Sequence, residues 1–184
     1  MANTADLIDD HALVTLFKEE RTRERAFTQL VQKYQERIYW HIRRMVVEHE
    51  DTNDVLQNVF IKVWRNLSEF REESNLYTWL YRIATNETLT WISSKKKRST
   101  VSIDDNVFAE KLVEQKGFDA NKIEWKLQQA IQALPEKQRV VFNLRYYDEM
   151  PYEEMSTVLD TSVGALKASY HHAVKKVEAY MINS

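Results

Sequence analysis

Two glycines and two prolines in 184 residues leave this chain few ways to turn tightly, and that scarcity constrains its fold more than any other feature. Glycine supplies the positive backbone angles of tight turns, and proline interrupts helices. A chain almost free of both favours long helices, and no hairpin signal is present.

Apolar spacing then places the helices. Asp9 or Asp10 can cap a short first helix carrying Ala12, Leu13, Leu16 and Phe17, ahead of a charged break from Lys18 to Glu24. From Ala26 to Val46 the residues Phe27, Leu30, Val31, Tyr34, Ile38, Tyr39, Ile42, Met45 and Val46 repeat at helical intervals. Asp51 reads as the N-cap of a third helix with Asp54 three positions on. Val55, Leu56, Val59, Phe60, Val63, Trp64 and Leu67 form its apolar face, opposite Gln57, Asn58, Lys62 and Arg65.

Ser68 to Ser74 reads as a loop, with Ser74 capping a fourth helix that runs to about Ser93, before Lys95-Lys96-Lys97-Arg98. Along that helix Leu76, Leu80, Ile83, Leu89 and Ile92 fall near one stripe, while Tyr77, Trp79, Tyr81 and Trp91 point elsewhere. One stripe cannot bury them all, so some rings are expected at a surface beside Arg82, Asn86 and the basic run. Aromatic faces next to cations suit stacked bases.

After Thr100 the composition changes. Between Val101 and Asp119 five acids face only Lys111 and Lys116, without a helical period, as in a linker of about twenty residues. A second helical unit opens at Asn121, a cap with Glu124 three positions on, and carries Ile123, Leu127, Ala130, Ile131 and Leu134. Pro135 is placed to open the next helix, with Val140, Val141, Leu144 and Tyr147 inward. Pro151 starts a short helix through Met155, Val158 and Leu159. After the turn Asp160-Thr161-Ser162, Val163 begins a last helix with Leu166, Tyr170, Ala173, Val174 and Val177 inward. Two helices one short turn apart form a helix-turn-helix. The second of them carries Lys167, His171, His172, Lys175 and Lys176, as expected of a helix that enters a DNA groove. The fold expected is all-α: an N-terminal helical bundle over 9–98, a flexible linker over 99–120, and a C-terminal four-helix domain over 121–182 containing the helix-turn-helix.

Composition excludes several functions. With no cysteine there is neither a disulfide framework nor thiol chemistry. No basic-then-apolar leader and no apolar run of about 20 residues is present, so an unexported, cytoplasmic protein without membrane insertion is expected. A net charge of −2 argues against tight autonomous binding to nucleic acid, because Lys and Arg neutralising phosphates supply most non-specific affinity. No nucleophile-and-base spacing or glycine-rich phosphate loop occurs, so no enzyme is expected. His171 and His172 point about 100° apart on a helix and lack a carboxylate partner. Neither a metal nor a cofactor is expected.

The segment Asp51-Thr52-Asn53-Asp54-Val55-Leu56-Gln57-Asn58-Val59-Phe60-Ile61-Lys62-Val63-Trp64 resembles the polymerase-binding segment of bacterial RNA polymerase sigma factors, of the small two-domain extracytoplasmic-function class within the sigma-70 family. Phe70-Arg71-Glu72-Glu73-Ser74 followed by Tyr77-Thr78-Trp79-Leu80-Tyr81-Arg82-Ile83-Ala84 resembles that family's promoter-melting segment. Leu134-Pro135-Glu136-Lys137-Gln138-Arg139, Tyr152-Glu153-Glu154-Met155 and Ser162-Val163-Gly164-Ala165-Leu166-Lys167 resemble its C-terminal DNA-reading domain. The three segments occur in the family's order, from about residue 10 to 181. The chain departs from the family's common residues at Asn58, where an acid is frequent, at Glu72, where glycine is frequent, and at Ser169 and His172, where arginines are frequent.

The resemblance implies a transcription initiation factor that binds core RNA polymerase and directs promoter recognition and strand opening. Asp51, Asp54, Gln57, Asn58, Phe60, Lys62 and Trp64 would meet the polymerase. Asp54 could instead simply favour the positive end of its helix. Phe70, Arg71, Glu72, Glu73, Ser74, Asn75, Trp79, Arg82 and Asn86 would serve the minus-ten element, the loop reading an unpaired base on its Watson–Crick edge. Trp79 is equally a core residue or a platform, and the basic run is equally a phosphate contact or a solvated helix end. Ser162, Val163, Gly164, Ala165, Lys167, Ala168, Ser169, His171, His172 and Lys175 would serve the minus-thirty-five element, while Tyr170 fits the core better. The acidic linker would follow the polymerase cleft or act only as a tether. Promoter DNA and an anti-sigma factor are the further partners the resemblance implies.

One stacked base contributes about 1–3 kcal/mol, whereas opening duplex DNA costs about 1.4 kcal/mol per step. Capture of one or two bases cannot open many steps, so polymerase contacts must supply the remainder. The alternative reading is a stand-alone helix-turn-helix regulator whose N-terminal bundle dimerises or binds a ligand.

Overall fold

The computed structural model describes residues 9–98 and 122–183. The segment read as a linker and the cap read at Asn121 lie outside the described residues. Those residues form eight α-helices and one 3-10 turn: α1 Asp10–Lys18, α2 Arg23–Val46, α3 His49–Asn66, the turn Leu67–Glu69, α4 Leu76–Arg98, α5 Lys122–Gln132, α6 Glu136–Tyr146, α7 Tyr152–Leu159 and α8 Val163–Asn183. Among them no strand occurs.

Each helix buries the stripe that its spacing requires. On α2, Ala26, Leu30, Tyr34, Ile38, Ile42 and Met45 recur every three or four residues and are all buried, and Val55, Val59 and Val63 do the same on α3. Burying each such side chain stabilises the fold by about 1.5–3 kcal/mol. Polar groups tie α1 to this bundle. The Asp10 carboxylate accepts the Tyr34 hydroxyl at 2.7 Å and Lys33 Nζ at 2.8 Å, while Thr22 Oγ1 and Arg23 Nε donate to the Leu16 and Phe17 carbonyls at the end of α1. Burial, reinforced by the Asp10 bond, pushes the Tyr34 hydroxyl above its ordinary range, so it stays a donor.

Several helix starts differ from the sequence reading. Helix α3 begins at His49, so Asp51 lies inside its first turn, and Glu48 takes the cap position without a side-chain cap bond. At the start of α4 it is Asn75, not Ser74, whose Oδ1 accepts the Thr78 amide at 2.9 Å. Pro135 and Pro151 precede α6 and α7 in extended backbone instead of occupying their first turns, and α4 continues through the basic run to Arg98.

The rings of α4 divide between core and surface, with Tyr77, Trp79 and Trp91 half-buried. Tyr81 is buried, with its ring 4.4 Å from that of Tyr77. Helix α4 packs against α2, α3 and α7, so a second face is covered by the C-terminal unit as well as the first by the bundle. The larger core accordingly runs from α1 to α4 into Val140, Val141, Leu144, Met150, Met155, Val158 and Leu166. A smaller core of Ala130, Ile131, Leu134, Phe142, Ala173 and Val177 joins α5, α6 and α8.

Candidate nucleic-acid and polymerase interfaces

The outer face of α3 is exposed along Asp54, Gln57, Asn58, Ile61 and Lys62. Beside it an open groove of about 410 Å³ between α3 and α4 is lined by Asp51, Asp54, Asn58, Glu87, Trp91 and Lys95, among others. Lys95 donates to Asp51 at 2.6 Å and lies 4.7 Å from the Trp91 ring, and Lys62 pairs with Glu87 across the same helix pair. Asp54 and Gln57 therefore stand clear while Asp51 and Lys62 are held by α4. Phe60 and Trp64 turn towards the bundle. The Trp64 ring lies 5.3 Å from Phe17 and 5.0 Å from Phe27, leaving one edge exposed.

A second opening, of about 610 Å³, lies where the loop after α3 meets α4. Six residues that the sequence assigns to the minus-ten element line it together: Phe70, Arg71, Glu73, Ser74, Trp79 and Arg82. Lys62, which the sequence assigns to the polymerase, and Ile83, from the apolar stripe of α4, also line it, together with Asn66, Glu69 and Thr157, which no spacing singles out. Trp79 is both core and wall: one side packs 5.1 Å from the buried Phe70 ring, and the rest faces the opening. A flat apolar wall beside guanidinium and carboxylate groups provides both a stacking surface and hydrogen-bond partners for a base edge.

Three assigned residues lie elsewhere. Asn75 is occupied by its cap and by Glu154 at 3.4 Å, and Asn86 is exposed further along α4. Glu72 sits at φ 58°, bonded to His11 at 2.9 Å. A left-handed backbone at that position accounts for the glycine frequent in the resembling family, since glycine bears no penalty there. Glu72→Gly should therefore stay within about 0.5 kcal/mol of the parent, relief of backbone strain offsetting the looser unfolded chain. Glu72→Ile should cost more than about 1 kcal/mol, because a β-branched residue tolerates that region poorly. Urea denaturation of both variants checks the contrast.

In the C-terminal unit, α7, the turn at Asp160 (φ 48°) and α8 form the helix-turn-helix. Ser162 Oγ accepts the Ala165 amide at 3.3 Å and so caps α8. Ser162, Gly164, Ala165, Lys167, Ala168, His171, His172 and Lys175 are exposed along its first half, with Val163 and Ser169 half-buried. Tyr170 stacks on Phe142 at 5.8 Å, and burial pushes its hydroxyl up, as befits a core residue. Lys167 lies 5.6 Å from the Tyr152 ring, which steadies its stem. A Cβ added at Gly164 would meet nothing within 4 Å, so the fold itself does not require glycine there.

The family model for sigma-70 region 2 matches residues 30–98, and that for sigma-70 region 4 matches residues 124–177. The RNA polymerase sigma-H factor of Pseudomonas aeruginosa is 35% identical over 169 residues, covering 86% of this chain and 88% of that protein. The chain belongs to the sigma-70 family, in its extracytoplasmic-function class. The ECF RNA polymerase sigma-E factor of Escherichia coli K12 is 32% identical over 165 residues, covering 84% and 86% of the two chains. Two solved structures share the fold of this sigma factor: CnrH in complex with the cytosolic domain of CnrY (TM-score 0.69, 21% identity, 97% of this chain and 100% of that one), and RpoE with the anti-sigma factor NepR from Bartonella quintana (TM-score 0.68, 17% identity, 86% and 98%). Family membership sets aside the stand-alone regulator. This is a non-catalytic factor for promoter recognition and transcription initiation. Among the described residues no helix is long and apolar enough to cross a membrane.

Proposed function

We propose that this sigma factor docks on core RNA polymerase through the exposed face of α3 around Asp54 and Gln57. It then holds an unpaired base of the minus-ten non-template strand in the opening between the loop and α4, and lays the start of α8 in the duplex at the minus-thirty-five element. Residues 9–98 and 121–182 are the two promoter-contacting domains, joined by 99–120. The convergence of Phe70, Arg71, Glu73, Ser74, Trp79 and Arg82 on one opening is the observation that supports this reading most. The factor acts in the cytoplasm, where polymerase and DNA meet. An anti-sigma factor is a further proposed partner, since one structural relative was solved with a protein of that name.

The energetics make the order of events strict. Capturing one base contributes about 1–3 kcal/mol, so docking on polymerase must precede opening. In the assembled holoenzyme, Arg82→Ala should weaken binding of a single-stranded minus-ten oligonucleotide about tenfold and leave binding of a minus-thirty-five duplex unchanged. Equal loss on both ligands, or none on either, contradicts the placement.

Gly164→Ala separates fold from function. It should raise stability by about 0.5–1 kcal/mol, as for any glycine replaced within a helix, yet weaken the minus-thirty-five duplex, because a methyl group then stands where the DNA backbone approaches. Thermal denaturation and a gel shift read the two signs independently.

A further inference from the structure

Two cations of the C-terminal unit share one aromatic ring. Tyr152 is the first residue of α7 and half-buried, and its ring centroid lies 5.1 Å from the Arg145 guanidinium and 5.6 Å from Lys167 Nζ. Both separations fall within the range of about 6 Å over which a ring face attracts a cation. The ring is itself anchored. It stands edge-on to Tyr170 at 6.5 Å, and Tyr170 in turn stacks on the buried Phe142.

The two cations differ in their freedom. Arg145 is half-buried in the last turn of α6, and its Nη1 donates to the Met150 carbonyl at 3.1 Å, in the connection that leads to α7. The fold therefore holds it in place. Lys167 is exposed on α8, and among the described residues the Tyr152 ring is its one partner. An exposed lysine samples many rotamers, and ordering it when a ligand binds costs affinity. A stem already drawn to a ring has given up part of that freedom beforehand. Two like charges beside one ring also repel each other, a cost that an incoming phosphate relieves.

Direction follows from the motif. In a helix-turn-helix the second helix enters the groove while the first crosses the sugar-phosphate backbone. Tyr152 stands at the start of that first helix, so a lysine drawn to its ring is drawn to the backbone side of the motif. Contacts to the backbone fix register and affinity, whereas contacts to base edges carry sequence.

We propose that Tyr152 is a positioning residue for the minus-thirty-five contact. Its ring, braced by Arg145 and Tyr170, holds Lys167 ready for a phosphate of the DNA backbone instead of a base edge. Lys167 then supplies affinity and register, and the rest of α8 supplies sequence. This inference rests on the placement of α8 at the minus-thirty-five element given above.

The test uses the full chain assembled with core polymerase. Its probes are a duplex cut from the minus-thirty-five region of a promoter that the holoenzyme transcribes and a scrambled duplex of the same length, each titrated at several salt concentrations. Lys167→Met should weaken both duplexes about fivefold and reduce the slope of log affinity against log salt by about one, as for one lost phosphate contact. Tyr152→Leu should weaken both about threefold, while Tyr152→Phe, which keeps the ring, should match the parent. In the Lys167→Met background Tyr152→Leu should add nothing, because a residue that acts through another is silent once its target is gone. If Tyr152→Leu loses its helical circular dichroism, Tyr152→Met, whose flexible side chain fills the same space without a ring, carries the same expectation. Losses that multiply in the double variant, or a Tyr152→Phe as weak as Tyr152→Leu, overturn the positioning role. A Lys167→Met loss confined to the promoter duplex overturns the phosphate contact. A parent that binds the two duplexes equally well strikes the placement of α8, whereas a parent that prefers the promoter duplex while Lys167→Met binds like it strikes this inference alone.

Discussion

Replacing Asp54 and Gln57 together by alanine is expected to abolish measurable association with core RNA polymerase while leaving the fold intact. Both side chains are exposed on α3, and the buried stripe of that helix is carried by Thr52, Val55, Val59 and Val63, so neither contributes to the core. Alanine also has the higher helix propensity at both positions. At an interface the balance reverses, because a truncated hot-spot residue costs about 2 kcal/mol or more. A combined loss of about 4 kcal/mol lowers affinity by about a thousandfold. Asp51→Ala should do less to the polymerase directly, since that carboxylate is engaged with Lys95 inside the protein. Binding of each variant to immobilised core polymerase, with circular dichroism as the control for folding, checks the expectation.

The second large effect is on stability. Leu144 is fully buried in the core that α6 shares with the N-terminal helices, and Leu144→Ala should cost about 3 kcal/mol through lost burial and the cavity left behind. Against a total of about 5–15 kcal/mol that is a large fraction. At about 2–4 °C per kcal/mol for a chain of this size, the melting temperature should fall by about 10 °C. Ile182→Ala, at a residue 82% exposed, should change stability by less than about 0.5 kcal/mol. If Leu144→Ala behaved like Ile182→Ala, the shared core would not exist in solution.

The helices were legible because scarcity of glycine and proline leaves periodicity undisturbed, as along Leu30, Tyr34, Ile38 and Ile42. Caps were less so. Asp51 and Glu48, or Ser74 and Asn75, lie within one turn of each other, and the backbone path decides where the helix starts: Glu48 takes the cap position of α3 without a side-chain bond, and Asn75 Oδ1 reaches the Thr78 amide at the start of α4. The burial of Tyr81 was hidden for a different reason: its ring packs 5.0 Å from His41 of α2 and its hydroxyl meets Asp148 between α6 and α7, both distant in sequence, on a face that a single amphipathic helix would leave wet. Asp148 looks like an ordinary turn residue between two helices, and its three donors come from positions far up the chain.

Much the same holds for the candidate sites. Loop residues such as Arg71, Glu73 and Ser74 were found through the family pattern, and the structure brings them to one opening with Trp79 and Arg82. Glu69, Asn66 and Thr157 share that wall without any local signal, since each belongs to a different element and only packing brings them together. The departure at Glu72 gained a physical meaning once its backbone proved left-handed.

The central claim, that this sigma factor engages polymerase and promoter through two separate faces, is tested most directly by run-off transcription from supercoiled promoter DNA with purified core polymerase. The account predicts transcripts only when the protein is added, lost with the Asp54→Ala and Gln57→Ala pair and reduced with Arg82→Ala. Transcripts from the docking pair at the level of the parent would contradict it.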